Sequence, residues 1–93
     1  MNRKAKGSRN ELKTVRALEG LGYKCTKAGG SLGVWDIIAI NPLQVRLIQV
    51  KSNRKPGKDE MSKMKAFICP PRCCTKELWV WTDRVKEPEI TCL

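Results

Sequence analysis

Residues 33–51 read GVWDIIAINPLQVRLIQVK. Two apolar, β-branched runs, 34–40 and 45–51, flank Asn41-Pro42-Leu43-Gln44, whose asparagine and proline are turn formers. The first run is apolar on both sides, as a central strand is, so the pair predicts a hairpin inside a sheet. Three polar residues do not suit a purely structural hairpin. Asp36 is the one acid of the first run, and Gln49 and Lys51 share a face with Val45 and Leu47 at the C-terminal end of the second. A buried carboxylate without partners is costly, so Asp36 requires a cation or hydrogen-bond donors nearby. The ordinary twist of a hairpin brings it beside the amide and the ammonium.

Upstream, Ser8-Arg9-Asn10-Glu11 has the form of a capping box and predicts a helix from residue 8 to about residue 21, with Gly22 as its stop. At about 100° per residue, Leu12, Val15, Leu18 and Leu21 form an apolar stripe. Glu11 falls within that stripe while Lys13 and Arg16 face away, so this helix sends a carboxylate inward and its cations outward. Glu11 has two competing roles, as the capping glutamate or as a ligand. Residues 1–7 are basic and polar, and predict an arm that is mobile until it meets a partner.

Residues 23–27 predict a short strand, followed by a loop containing Gly29, Gly30 and Ser31. Residues 52–57 form a basic loop. A helix starts near Asp59 with Met61, Met64, Phe67 and Ile68 on one side, until Pro70-Pro71 ends it. Residues 78–82 predict a further strand, in which Trp79 and Trp81 share a face suited to core or dimer packing more than to base stacking. The tail, 83–93, has no assignment. Together these segments predict a single α/β domain over residues 1–93, with a central mixed β-sheet flanked by helices in the order αβββαβ.

The 93 residues carry 19 Lys and Arg against 9 Asp and Glu, a formal charge of +10. Residues 1–16 hold Arg3, Lys4, Lys6, Arg9, Lys13 and Arg16 against Glu11 alone, and residues 51–65 hold Lys51, Arg54, Lys55, Lys58, Lys63 and Lys65 against Asp59 and Glu60. Cations concentrated in this way point to a polyanion, and nucleic acid is the first candidate. Lys4, Lys6, Arg9, Arg54, Lys55 and Lys58 are the expected phosphate contacts. No stretch is apolar over the roughly 18 residues of a spanning helix, and no signal-peptide core is present, so the expectation is a soluble intracellular protein, cytoplasmic or nucleoid-associated, with a viral source left open. Five cysteines without a secretion signal predict free thiols. A zinc site is the alternative; with no histidine it would need four thiolates, and adjacent Cys73 and Cys74 make awkward ligands of one ion.

If the helix packs across the hairpin, Glu11, Asp36, Gln49 and Lys51 come together. Oxygen ligands of that kind hold Mg²⁺ or Mn²⁺, the metal activates water, and a lysine stabilises the charge of a phosphoryl transition state. The pattern Asp36, then Gln49-Val50-Lys51, with an acid on the preceding helix, resembles the D-x(n)-(D/E)-x-K core of the PD-(D/E)XK nucleases. Within that superfamily it is most similar to the archaeal-type Holliday junction resolvases, which open with a K-G-x-x-x-E-like segment, here Lys6 to Glu11, and carry a serine loop before the metal-binding acid, here Ser31. The resemblance spans roughly residues 4 to 68. It implies a restriction-endonuclease-like core, metal ligation by Glu11, Asp36 and the Val50 carbonyl, a phosphate or water contact from Lys51, and DNA contact by Ser31. It also implies a homodimer that cuts a four-way junction symmetrically.

The sequence departs from the pattern at Gln49, where the family has an acid. An amide oxygen still coordinates Mg²⁺, but one negative charge is lost. Two further readings stay open: a DNA-binding protein that keeps the nuclease fold without catalysis, and a nuclease of the same superfamily acting on other DNA structures.

Overall fold

A computed structural model describes residues 3–28, 33–70 and 72–93, with side chains from residue 8 onward. Helix α1 (Arg3–Gly20) leads into β1 (Lys24–Lys27), β2 (Ile37–Ile40) and β3 (Val45–Ser52); α2 (Lys58–Ala66) then crosses to β4 (Cys74–Trp81), and β5 (Glu89–Cys92) follows. Among the described residues the five strands form one sheet in the order β1-β2-β3-β4-β5. Every neighbouring pair is antiparallel except β3 with β4, so the sheet is mixed, as expected. A parallel pair cannot be closed by a tight turn, which is why α2 lies between β3 and β4.

The hairpin read from residues 33–51 is present, with Ile37 opposite Ile48 and Ile40 opposite Val45. Its turn is held by the Leu43 N–H donating to Asn41 Oδ1 at 2.9 Å, an Asx turn. Alternate residues of β3 then feed two cores. Ile48 and Val50 pack with Leu18, Ile37, Ala39, Trp79 and Trp81 on the α1 side, while Leu47 packs with Trp35, Met64, Leu78 and Val80 on the α2 side. Both tryptophans of β4 are therefore core residues, and Met64 is fully buried with Met61 and Phe67 packed against the same cluster.

Several expectations are corrected. The tail forms β5, with Glu89 opposite Val80 and Cys92 opposite Glu77, so the order is αβββαββ. Pro88 and the brevity of the segment hide this edge strand. β4 starts at Cys74 rather than at residue 78. β2 begins at Ile37, so Asp36 stands just before the strand, although its N–H still donates to the Ile48 carbonyl at 2.9 Å.

Helix α1 starts at Arg3, so Ser8 lies inside it and is not a cap, and residues 3–7 belong to the helix instead of forming a loose arm. Its buried stripe is partly as expected, with Leu18 buried and Val15 packed against the same core, but Leu12 and Leu21 are 44% and 66% exposed, and Asn10 and Thr14, spaced by four with Leu18, are buried instead. Polar partners make this possible: Asn10 Nδ2 donates to Ser52 Oγ at 2.5 Å, while Thr14 Oγ1 donates to the Asn10 carbonyl at 2.8 Å and accepts from Trp81 Nε1 at 2.8 Å. The C-terminal stop is where the sequence put it. Gly22 has φ +94°, the Gly22 N–H donates to the Glu19 carbonyl and the Tyr23 N–H to the Leu18 carbonyl, which is a Schellman motif.

Candidate active site

β3 is eight residues long and buried through its middle, so any polar side chain on it that reaches solvent must leave near an end. Lys51 does so at the C-terminal end, while Gln49, two residues before it on the face that α2 covers, stays almost wholly buried. After β3 the chain turns through Asn53, which takes a left-handed φ of 65°, a conformation asparagine tolerates. Pro56 and Gly57 then start α2, whose first turn carries Asp59 and Glu60. Acids are favoured there by the helix dipole. The result is that Glu60 returns over the end of β3. Lys51 Nζ donates to Glu60 Oε1 at 3.1 Å, and Gln49 Nε2 donates to Glu60 Oε2 at 3.3 Å.

Asp36 reaches the same strand end from the other side. β2 has not yet begun there, and the Asp36 carboxylate takes the place of a ladder acceptor, with the Val50 N–H donating to its Oδ2 at 2.8 Å. Burial pushes the Asp36 carboxyl up from its ordinary value. The Val50 hydrogen bond opposes that rise, the negative charge of Glu11 adds to it, and Lys51 and Glu60 act on it with opposite signs. The Asp36 charge is thus coupled electrostatically to Glu11, Lys51 and Glu60.

Gln49 is 94% buried, being 6% exposed, and its Oε1 has no hydrogen-bond partner. Because its Nε2 is the atom facing the Glu60 carboxylate, the amide orientation is fixed and the free atom is the oxygen. Buried acceptors are normally satisfied, so this one calls for a donor or a cation. Among the described residues one other buried side-chain atom lacks a partner, the Trp35 indole N–H, which is a donor with no use for a cation.

The four residues expected to converge do so unequally. Asp36, Gln49 and Lys51 meet at the end of β3. Glu11 is half-buried on α1 and pairs with Lys27 at 3.8 Å, touching the cluster through its charge. Among the described residues no three carboxylate, thiolate or imidazole groups lie close enough to hold a metal ion by themselves. An amide or main-chain oxygen has to complete any such site, and the unpartnered Gln49 Oε1 fits that need. Glu60 is the site residue that the sequence reading missed, counted there only as an acid within a basic run. The signal lay in its place in the first turn of a helix that must cross back over β3.

Of the expected DNA contacts, Arg9, Arg54, Lys55 and Lys58 are exposed, and Lys55 pairs with Glu89 at 3.5 Å. Arg54, Lys55 and Lys58 stand between Lys51 and Glu60 in the chain. The side chains of Lys4 and Lys6, and all of Ser31, lie outside the described residues. The five cysteines are free. Among the described residues no helix is long and apolar enough to cross a membrane.

The fold, a mixed sheet with a crossover helix, matches a solved structure, that of Hjc from the archaeal hyperthermophile Archaeoglobus fulgidus, a Holliday junction resolvase. The two superpose with a TM-score of 0.74 at 20% sequence identity, over 94% of this chain and 72% of that one. This chain shares the fold of a Holliday junction resolvase. The restriction-endonuclease-like α/β core implied by the sequence resemblance is therefore present. No protein-family model and no curated protein matches the sequence.

Proposed function

We propose that this chain is an Mg²⁺- or Mn²⁺-dependent endonuclease that hydrolyses phosphodiester bonds in branched DNA, with a four-way junction as its substrate. The observation that carries this reading is the buried, unpartnered oxygen of Gln49 next to Asp36 and Lys51, at the strand end of a fold shared with a junction resolvase.

In this reading Asp36, Gln49, the Val50 carbonyl and Glu11 hold the cation. A divalent cation so bound supplies an activated water and screens the phosphate charge. The protein's own groups do the rest. The Val50 N–H orients the Asp36 carboxylate. Lys51 exchanges its bond with Glu60 for the phosphate and neutralises the charge that builds on its oxygens. Lys4, Lys6, Arg9, Arg54, Lys55 and Lys58 grip the backbone phosphates on either side, Ser31 adds a hydroxyl contact, and a homodimer presents two such sites to the two strands of a junction.

The test is cleavage of a synthetic four-way junction in Mg²⁺. Asp36→Asn is expected to lose about 100-fold or more in rate while still binding the junction in a salt-sensitive manner. Equal cleavage by the two proteins would end the mechanism, and cleavage mapping on flaps, nicks and duplex would show whether another DNA structure is preferred.

A second reading has its own observation, the amide at position 49 where the resemblance calls for an acid. In it the chain binds DNA without cutting. Gln49→Glu separates the two: activity appearing from nothing supports the silent binder, and a modest change in an already active protein supports the amide as a working ligand.

A further inference from the structure

We infer that Glu60, in the first turn of α2, supplies the carboxylate that position 49 lacks, so that the cation is held between the β2–β3 strand ends and α2. The inference rests on the metal-dependent nuclease reading above and names a further ligand for the same site.

Three observations carry it. First, Glu60 is bonded to two polar residues near the end of β3, accepting from Gln49 Nε2 at 3.3 Å and from Lys51 Nζ at 3.1 Å. It therefore stands within hydrogen-bond distance, 3.3 Å, of the place where a glutamate at position 49 would deliver its own carboxylate. Second, each Glu60 oxygen carries one of those bonds, and a carboxylate has about four acceptor positions, so lone pairs remain for a cation. Third, the Gln49 side chain that Glu60 fixes is almost wholly buried and leaves its Oε1 unpartnered. Glu60 thus orients an amide oxygen and adds its own oxygens at one place.

Charge supports the assignment. On the β2–β3 strand ends themselves Asp36 and Lys51 carry one negative and one positive group, and Glu11 reaches them only from α1, so the strand end by itself is a poor host for a hard dication. Glu60 restores the second negative charge, and its own charge is felt at Asp36. The side chain is 42% exposed, so the site stays open to solvent and to DNA. The competing role is a plain ion pair that pins Lys51 to the start of a helix. In that role neutralising Glu60 leaves cation binding as it was.

The experiment measures Mn²⁺ binding to the full chain without DNA, by the spin-resonance signal of free Mn²⁺, for wild type, Asp36→Asn, Glu60→Gln and the double variant Gln49→Glu/Glu60→Gln. Asp36→Asn and Glu60→Gln are each expected to weaken binding about tenfold or more, and the double variant to return to wild-type affinity, because the carboxylate is moved back to β3. Glu60→Gln binding like wild type, while Asp36→Asn binds weakly, overturns this inference alone. Asp36→Asn binding like wild type overturns the nuclease reading and this inference with it. A double variant as weak as Glu60→Gln overturns the claim that the two positions carry the same carboxylate.

Discussion

Two polar assemblies occupy the β3–β4 pair, one toward each end, and they are built on opposite principles. Near the start, Glu77 is buried and accepts four hydrogen bonds, from Arg46 Nη2 at 2.7 Å and Nε at 2.8 Å, Thr75 Oγ1 at 2.6 Å and Trp79 Nε1 at 2.9 Å. The Arg46 guanidinium lies over the rings of Tyr23 and Trp79, and the Tyr23 hydroxyl donates to Gln44. Burial alone would raise the Glu77 carboxyl, but its hydrogen bonds and the Arg46 charge outweigh burial and hold it below the ordinary glutamate value. At the far end, Asp36 has one backbone donor and a raised carboxyl, and Gln49 keeps a buried oxygen that no protein group meets. A charge that serves the fold finishes its bonds within the protein. A charge that serves a ligand leaves some of them unmade.

The largest effect should come from breaking the finished assembly. Glu77→Ala removes a buried carboxylate, leaving the half-buried Arg46 and the buried Trp79 indole N–H without their acceptor, and should cost about 3–5 kcal/mol of folding stability, read by urea denaturation. Replacing both partners, as in Arg46→Met/Glu77→Leu, should recover most of that loss, because an apolar pair of similar volume carries no desolvation penalty. Mn²⁺ affinity should stay close to wild type in the double variant. A large loss of binding there would mean that the two ends are not separable.

The next effect is in pH. Because the folded Glu77 carboxyl sits below its unfolded value, the stability it contributes is complete above the ordinary glutamate range. It drains away as pH falls through that range toward the lowered folded value. Wild type should therefore lose stability on acidification more steeply than the Arg46→Met/Glu77→Leu protein. Parallel curves of urea midpoint against pH would remove Glu77 as the cause.

The sequence made these two regions legible to different degrees. The hairpin could be read because an apolar run on both sides of a turn has few other homes, and the register of that hairpin alone brought Asp36, Gln49 and Lys51 together. Glu11 was recognised as facing inward, but for the wrong reason. Of the stripe Leu12, Val15, Leu18 and Leu21, only Leu18 and Val15 pack into the core, and the helix buries Asn10 and Thr14 beside them, whose partners Ser52 and Trp81 lie 42 and 67 residues away. Such pairings between distant polar groups leave no periodic signal. Arg46 with Glu77, 31 residues apart, was invisible for the same reason, and so was Glu60, whose role depends on how α2 returns across the sheet. β5 was missed because an edge strand of four residues after a proline has almost no pattern of its own.

The smallest effect has the opposite sign, and it tests the other half of the comparison. Since burial raises the Asp36 carboxyl in the folded chain, its ionised form is a cost to the fold. That cost is absent at pH values below the ordinary aspartate value and develops as pH rises through the interval up to the raised one, so Asp36 and Glu77 tilt the stability curve in opposite directions. Asparagine keeps an oxygen to accept the Val50 N–H and removes the charge. Asp36→Asn should therefore be slightly more stable than wild type at neutral pH, by on the order of 0.5 kcal/mol, and should show no gain in acid. A residue present for stability would give the reverse result. Mn²⁺ affinity of the wild type should rise over the same pH interval in which its stability falls, because the form that burdens the fold is the form that binds. If affinity and stability instead rise together through that interval, Asp36 belongs with Glu77 as a structural acid, and the distinction between the two ends of the sheet is lost.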